Sequence, residues 1–206
     1  MKLDREFYAK DATILAKDLL GKILVHEIDG FKISGKIVET EAYMGAIDKG
    51  AHTYNWKRTP RVEAMYGKPG ISYVYFIYGM YYCFNVVAKE KEIPQAVLIR
   101  ALEPLEGREE MSKNRFKKPF NNLTKREVIN LTNGPSKLCN ALKIDKTNNG
   151  EDLCENKLYI LEGENEKFDV EASKRIGIDY AEEAKDYPWR FYVKGNPYVS
   201  KFRKNK

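Results

Sequence analysis

Two carboxylates close an apolar run in Val38-Glu39-Thr40-Glu41-Ala42-Tyr43. On an extended strand, residues two apart share a face, so Glu39 and Glu41 point the same way. If that face is buried, a carboxylate is held at low dielectric, which is costly without a partner or a task. If it is exposed, the pair is a solvated strand end. A second constellation, Tyr73-Val74-Tyr75-Phe76-Ile77-Tyr78-Gly79-Met80-Tyr81-Tyr82-Cys83-Phe84-Asn85, is aromatic on both faces. It reads either as an aromatic core strand or as a row of rings of the kind that stacks on unpaired or flipped bases. Leu98-Ile99-Arg100-Ala101-Leu102-Glu103-Pro104 places a guanidinium after an apolar run. It suits a bidentate phosphate contact or a carboxylate partner. Asn133-Gly134-Pro135-Ser136-Lys137-Leu138 is either an ordinary helix start or a phosphate contact made by free N–H groups and a cation.

The elements that must position these residues follow from pattern and punctuation. Asp11 to Gly21 reads as a helix capped by Asp11 and ended by Gly21. Lys22–Ile28 and Phe31–Tyr43 read as a hairpin about Asp29-Gly30, since both turn residues tolerate positive φ. Period two puts Phe31, Ile33 and Ile37 on one face and extends that face to Glu39, Glu41 and Tyr43. Residues 44–70, rich in Gly and Pro, read as loop. Ser72–Val87 reads as β structure with Gly79 at a bend or hairpin tip. Ala96–Ala101, Leu158–Leu161 and Arg190–Val193 read as strands. Glu106–Asn114 and the segment from Gly134-Pro135 read as helices, with Pro135 where its missing N–H is harmless. Helix and strand mix without a βαβ rhythm. The expectation is one α+β domain over 1–206, with a mixed, largely antiparallel curved sheet flanked by helices and a protruding aromatic β-hairpin.

Composition narrows the function classes. With 206 residues and 43% apolar content, the chain can bury a normal core without staples. No apolar run is long enough to span a membrane, and the charged N-terminus lacks the apolar stretch of a secretory signal. Cys83, Cys139 and Cys154 are odd in number and match no zinc or disulfide spacing, so reduced thiols are expected. With only His26 and His52 as histidines, no metal site and no cofactor are expected. The net charge of +6 suits a polyanionic partner. Basic residues cluster at Lys113, Arg115, Lys117, Lys118, Lys125 and Arg126, and again at Lys201, Arg203, Lys204 and Lys206. Fourteen tyrosines supply flat rings with polar tips.

Taken in order, these segments resemble the alkyladenine (3-methyladenine) DNA glycosylase family. The likeness rests on Ile37-Val38-Glu39-Thr40-Glu41-Ala42-Tyr43, on Lys68-Pro69-Gly70 leading into the aromatic segment, and on Leu98 to Gly107. It continues through Gly134-Pro135-Ser136-Lys137-Leu138-Cys139 to Arg190-Phe191-Tyr192-Val193-Lys194-Gly195. The resemblance implies a monofunctional base-excision-repair hydrolase of a minimal, bacterial type. Such an enzyme flips alkylated or deaminated purines (3-methyladenine, 7-methylguanine, hypoxanthine, ethenoadenine) from double-stranded DNA and leaves an abasic site. It implies Glu41 as the base that activates water, with Glu39 in support and Arg100 orienting the water and a phosphate. Tyr43, His52 and Tyr75 become walls of the base pocket, and Asn85 crowds the 2-amino group of guanine. Tyr78, with Met80 and Tyr81, enters the minor groove to fill the gap, and Ser136 and Lys137 hold phosphates. A cytoplasmic, nucleoid-associated monomer without strand-cleaving activity is expected.

Two other functions fit the residues themselves. One is a non-catalytic nucleic-acid-binding module with the tyrosines on an open sheet. The other is a carbohydrate hydrolase, against which the basic charge argues. A pocket that buries a carboxylate beside the rings separates the glycosylase from the binding module. The segment Thr53-Tyr54-Asn55-Trp56-Lys57-Arg58-Thr59-Pro60 departs from the Gly/Arg-rich versions associated with the family, which bears on the pocket rim.

Overall fold

A computed structural model describes residues 1–200. Short helices α1 (Arg5–Tyr8) and α2 (Ala12–Asp18) lead into a hairpin of β1 (Ile23–Ile28) and β2 (Phe31–Tyr43). Asp11 caps α2, its carboxylate accepting from the Thr13 N–H, and Asp29 and Gly30 both take positive φ at the hairpin turn. After a long segment containing only 3-10 turns come β3 (Ser72–Ile77), β4 (Tyr81–Ala88) and β5 (Gln95–Pro104). Helices α3 (Arg108–Phe116), α4 (Lys125–Ile129) and α5 (Pro135–Leu142) follow, then β6 (Leu158–Leu161), β7 (Val170–Ser173) and β8 (Arg190–Val193).

The strands form one eight-stranded sheet in the order β3-β4-β5-β2-β1-β6, with β8 pairing both β2 and β7, and every pairing is antiparallel. The α+β expectation holds. One sheet face carries Ile33, Ile37, Ala42, Val97, Ile99 and Leu102 into a core closed by Leu15, Leu19, Met111, Leu138 and Leu142 from the helices. The Thr40 hydroxyl ties β2 to α2 through the Ala16 carbonyl at 2.8 Å.

One expectation is overturned at the centre of β2. Ile37 pairs with Leu102, Glu39 with Ala101 and Thr40 with Ile99. Val38 and Arg100 are therefore each an extra residue in their own strand, two bulges set side by side. A one-residue slip exchanges the faces of a strand. Upstream of the bulge, Ile33 and Ile37 face the core; downstream, Thr40 and Ala42 do. Glu39, Glu41 and Tyr43 thus lie on the face opposite Ile33 and Ile37, not on a continuation of it. On the neighbouring strand the same slip turns Arg100 out of the core with them. The bulge also marks a change of neighbour, because β1 pairs β2 as far as Lys36 and β8 pairs it from Glu39.

Smaller differences have local causes. The third helix starts at Arg108 because Gly107 takes φ 70° just before it. The strand through Arg100 extends to Pro104. Strand β7 and helices α1 and α4 are too short to show periodicity. In the basic run, Lys113 meets Glu109 and Lys118 meets Glu127, so acids flanking the run offset part of its charge. Lys201, Arg203, Lys204 and Lys206 lie outside the described residues.

Candidate active site

The paired bulges place Glu39, Glu41, Arg100 and Arg190 in a buried ionic network. Glu39 has no exposed surface. Its carboxylate accepts from Arg100 Nε at 2.9 Å, Arg190 Nε at 2.6 Å, and the Ser200 N–H and hydroxyl, each at 2.7 Å. Burial pushes this carboxyl up, but Arg100, Arg190 and the Ser200 donors outweigh it and hold Glu39 below its usual pKa. Arg100 is buried as well; burial alone would lower its pKa, and Glu41 and Glu39 raise it.

Glu41, equally buried, is used differently. Its Oε1 accepts from the Ile176 N–H at 2.7 Å and lies 3.2 Å from Arg100 Nη1, while Oε2 accepts from the Tyr43 hydroxyl at 2.9 Å. An ionised carboxylate offers about four acceptor sites. Among the described residues Glu39 meets four donors, three on Oε1 and one on Oε2, two of them guanidinium groups, whereas Glu41 meets three, one of them the Tyr43 hydroxyl. Strand periodicity treats the two acids alike, and the resemblance alone ranked Glu41 above Glu39; their partners in the fold differ.

Tyr43 carries this network to a cavity. A recess lined by Tyr43, His52, Met65, Tyr73, Tyr75, Asn85 and Ala96 holds about 330 Å³ of empty space, counting the open solvent at its mouth. The four residues expected in a base pocket, Tyr43, His52, Tyr75 and Asn85, thus meet in one recess. His52 packs edge-on to Tyr75 with ring centroids 4.6 Å apart, and its Nδ1 is 2.9 Å from the Tyr73 hydroxyl. Burial, with the charges of Arg61 and Lys57, depresses the His52 pKa to about 4, so the ring is neutral at pH 7. Burial and the Glu41 charge keep the Tyr43 phenol protonated. Asn85 donates its amide to the Tyr73 carbonyl at 3.0 Å, which fixes its side chain against β3. The chain enters this wall beneath Pro94: Gly45 has φ 68°, and a Cβ there would meet the Pro94 carbonyl oxygen at 2.6 Å.

The remaining expected residues lie elsewhere on the surface. Tyr78, Gly79 and Met80 form the turn between β3 and β4, with φ 51° at Tyr78 and 70° at Gly79, and Met80 N–H bonded to Ile77 O. Tyr78 is 85% exposed, and Met80 and Tyr81 are also exposed. Ser136, one residue inside the start of α5, shares a surface groove with Met80, Tyr81, Arg115 and Lys117. Lys137 Nζ is held at 2.7 Å by the side-chain oxygens of both Asn130 and Asn133.

Several residues were not singled out from sequence. Arg190 and Ser200 supply three of the four donors to Glu39, and Ile176 supplies an N–H to Glu41. Arg175 is a third buried arginine, bonded twice to Asp48 at 2.6 and 2.8 Å, with its guanidinium 4.7 Å from the Tyr43 ring centroid. Asp48 and Arg175 are 127 positions apart, so no local pattern joins them. Arg190 lies inside a segment already noticed, and a basic residue opening a short apolar strand was the available signal. Among the described residues, no group of three or more His, Cys, Asp or Glu side chains is placed to hold a metal ion, and no helix is long and apolar enough to cross a membrane.

A family model described as methylpurine-DNA glycosylase matches residues 6–197. A protein of Desulfitobacterium hafniense (strain Y51) is 62% identical over 199 residues, 97% of this chain and 98% of its own. One of Clostridium acetobutylicum is 62% identical over 205 residues, the full length of both chains. One of Clostridium tetani is 59% identical over 202 residues, 98% of this chain and all of its own. Each of the three is named "Putative 3-methyladenine DNA glycosylase".

Proposed function

The chain belongs to the methylpurine-DNA glycosylase family, and on that premise we propose that it excises damaged purines from duplex DNA, with Glu41 as its general base. The observation that carries the reading is the unequal use of two adjacent buried carboxylates beside an aromatic cavity. Glu39 is tied to two guanidinium groups and to Ser200, while Glu41 meets one guanidinium and accepts from the hydroxyl of Tyr43, which lines the cavity. An open stacking surface has no use for such a carboxylate, which disfavours a simple binding module.

In the proposed reaction the flipped purine stacks among Tyr43, His52 and Tyr75. As the C1′–N bond breaks, its electron pair goes to the base and positive charge builds on the sugar. Glu41 stabilises that charge electrostatically and takes a proton from the water whose oxygen bonds to C1′. Arg100 orients Glu41 and the water. A base that is already cationic leaves as a neutral molecule; hypoxanthine or ethenoadenine must also gain a proton. Cationic lesions gain a further cation–π attraction of about 0.5–2 kcal/mol from the rings. A neutral His52 adds no repulsion to them. Asn85 crowds the 2-amino group of guanine and so protects normal bases.

Tyr78 enters from the minor groove and stacks in the gap, aided by Met80 and Tyr81, while Ser136 and Lys137 hold phosphates. The enzyme acts as a monomer on chromosomal DNA in the cytoplasm and stops at the abasic site. The test is release of free base from a duplex carrying one hypoxanthine or one ethenoadenine. Wild type releases base, and Glu41→Gln binds the duplex without release. A wild type that binds but excises neither these lesions nor methylated purines refutes the reading. Borohydride should trap no covalent adduct; a trapped adduct overturns the hydrolytic step.

A further inference from the structure

The turn that follows His52 is held in an unusual conformation. Asn55 and Trp56 both have positive φ, 55° and 59°. Asn tolerates this region, but a bulky residue there is an outlier that the surroundings must enforce. Packing of the side chain does not repay it. Trp56 is 58% exposed and Tyr54 42%, and among the described residues no ring or cation packs on the indole.

The base of the turn is nevertheless firmly fixed. Thr53 is buried, its hydroxyl bonded to the Pro94 carbonyl at 3.1 Å. The Tyr66 hydroxyl donates to the Lys57 carbonyl at 3.1 Å. Arg58 is clasped by Glu63 and Glu92 and stacks 4.3 Å from the Tyr66 ring centroid. The turn also stands at the cavity. His52 precedes it and lines the recess. Arg61 follows it, reaching over the Tyr75 ring and to the Phe76 carbonyl on β3. Lys57 and Arg61 have no carboxylate partner among the described residues, unlike Arg58. The turn therefore presents an outward-facing indole on a fixed base, with two unneutralised cations beside it in the chain, one of which, Arg61, reaches β3. Charge and ring together suit a polyanion with flat bases.

We propose that Trp56 is a second aromatic contact to DNA, stacking on a nucleotide beside the lesion while Lys57 and Arg61 face the adjoining phosphates. The inference rests on the DNA-repair reading above and adds a binding residue to it. A ring stacked on a base contributes about 5- to 150-fold in affinity. Glycine is at ease at positive φ, so Trp56→Gly removes the ring and relaxes the backbone at once. Function and stability then move in opposite directions.

The experiment uses the full chain and a labelled duplex carrying one abasic-site analogue. Trp56→Gly should melt no lower than wild type yet bind about 5- to 150-fold more weakly. Trp56→Phe, which keeps a ring, should retain most of the affinity. Trp56 and Trp189 are the two tryptophans, so subtracting the emission of Trp56→Phe from that of wild type isolates Trp56. That signal should fall when the duplex is added. Equal affinity of Trp56→Gly and wild type, or an emission unaffected by DNA, overturns the proposal. If wild type binds and excises in those same experiments, only this inference fails. If wild type neither binds nor excises, the repair reading fails with it.

Discussion

Replacing Glu39 by Gln separates the two carboxylates experimentally. Four donors converge on Glu39, two of them guanidinium groups from Arg100 and Arg190. Glutamine keeps one carbonyl oxygen, and its amide would point N–H groups at other donors. Arg100 would still have Glu41, but Arg190 would keep the Ser173 hydroxyl, the Ser200 carbonyl and the Tyr192 ring, with no acid. Removing one member of a buried ion pair costs about 3–5 kcal/mol. At about 2–4 °C per kcal/mol for a chain of this size, Glu39→Gln should melt roughly 6–20 °C below wild type. Glu41→Gln loses one guanidinium contact at 3.2 Å from a cation that keeps Glu39, so its melting point should fall less. Activity should rank the other way: loss of a general base lowers turnover by about 10²- to 10⁴-fold, and Glu39→Gln, measured per folded molecule, should lose less. The assays are thermal melting by circular dichroism and single-turnover base release. If Glu39→Gln melts like wild type and is as inactive as Glu41→Gln, Glu39 is the base and the assignment of Glu41 through its bond to Tyr43 is wrong.

Two further outcomes follow from the site. His52 has a folded pKa of about 4 against an ordinary 6.5, so between those values the unfolded chain binds the extra proton. Its contribution, at most about 3 kcal/mol, is complete above pH 6.5 and is lost as pH falls toward 4. Proton NMR of the ring should titrate near 4, and a midpoint above 6 contradicts the burial argument. Tyr78→Asn removes the exposed ring with a residue that tolerates φ 51°. Binding to a lesion duplex should weaken about 5- to 150-fold with little change in melting point, and unchanged affinity removes Tyr78 from the DNA contact.

The elements legible from sequence were those with strong local signals. Asp29-Gly30 needs positive φ and has it, and Pro135 opens its helix. Gly79 falls within the β3–β4 turn, and Asp11 caps α2. The face assignment of β2 failed because the bulge at Val38 is set by β5, about sixty residues away, and by β8, about 150 away. Period two describes a regular ladder, and neither strand taken alone marks the slip. The cavity residues Tyr43, His52, Tyr75 and Asn85 came from motif resemblance. Their neighbours Tyr73, Met65 and Ala96 carried no such assignment, lying in the aromatic run, in the segment that reads as loop and in an apolar strand. Arg175 with Asp48, and Arg190 with Glu39, were invisible for the same reason as the bulge, since each pairing is decided by tertiary distance.

The partners of the two central acids arrive very late in the chain. Ile176 follows Glu41 by 135 residues, and Arg190 and Ser200 follow Glu39 by 151 and 161. At a synthesis rate of about 5–20 residues per second, both carboxylates are added to the chain roughly 8–30 s before Arg190. During that interval the nascent chain holds most of the cavity wall, but Glu39 lacks three of its four donors. A chain cut short before Arg190 leaves Glu39 with Arg100 as its one remaining donor, so the ionic network closes only when β8 joins the sheet beside β2.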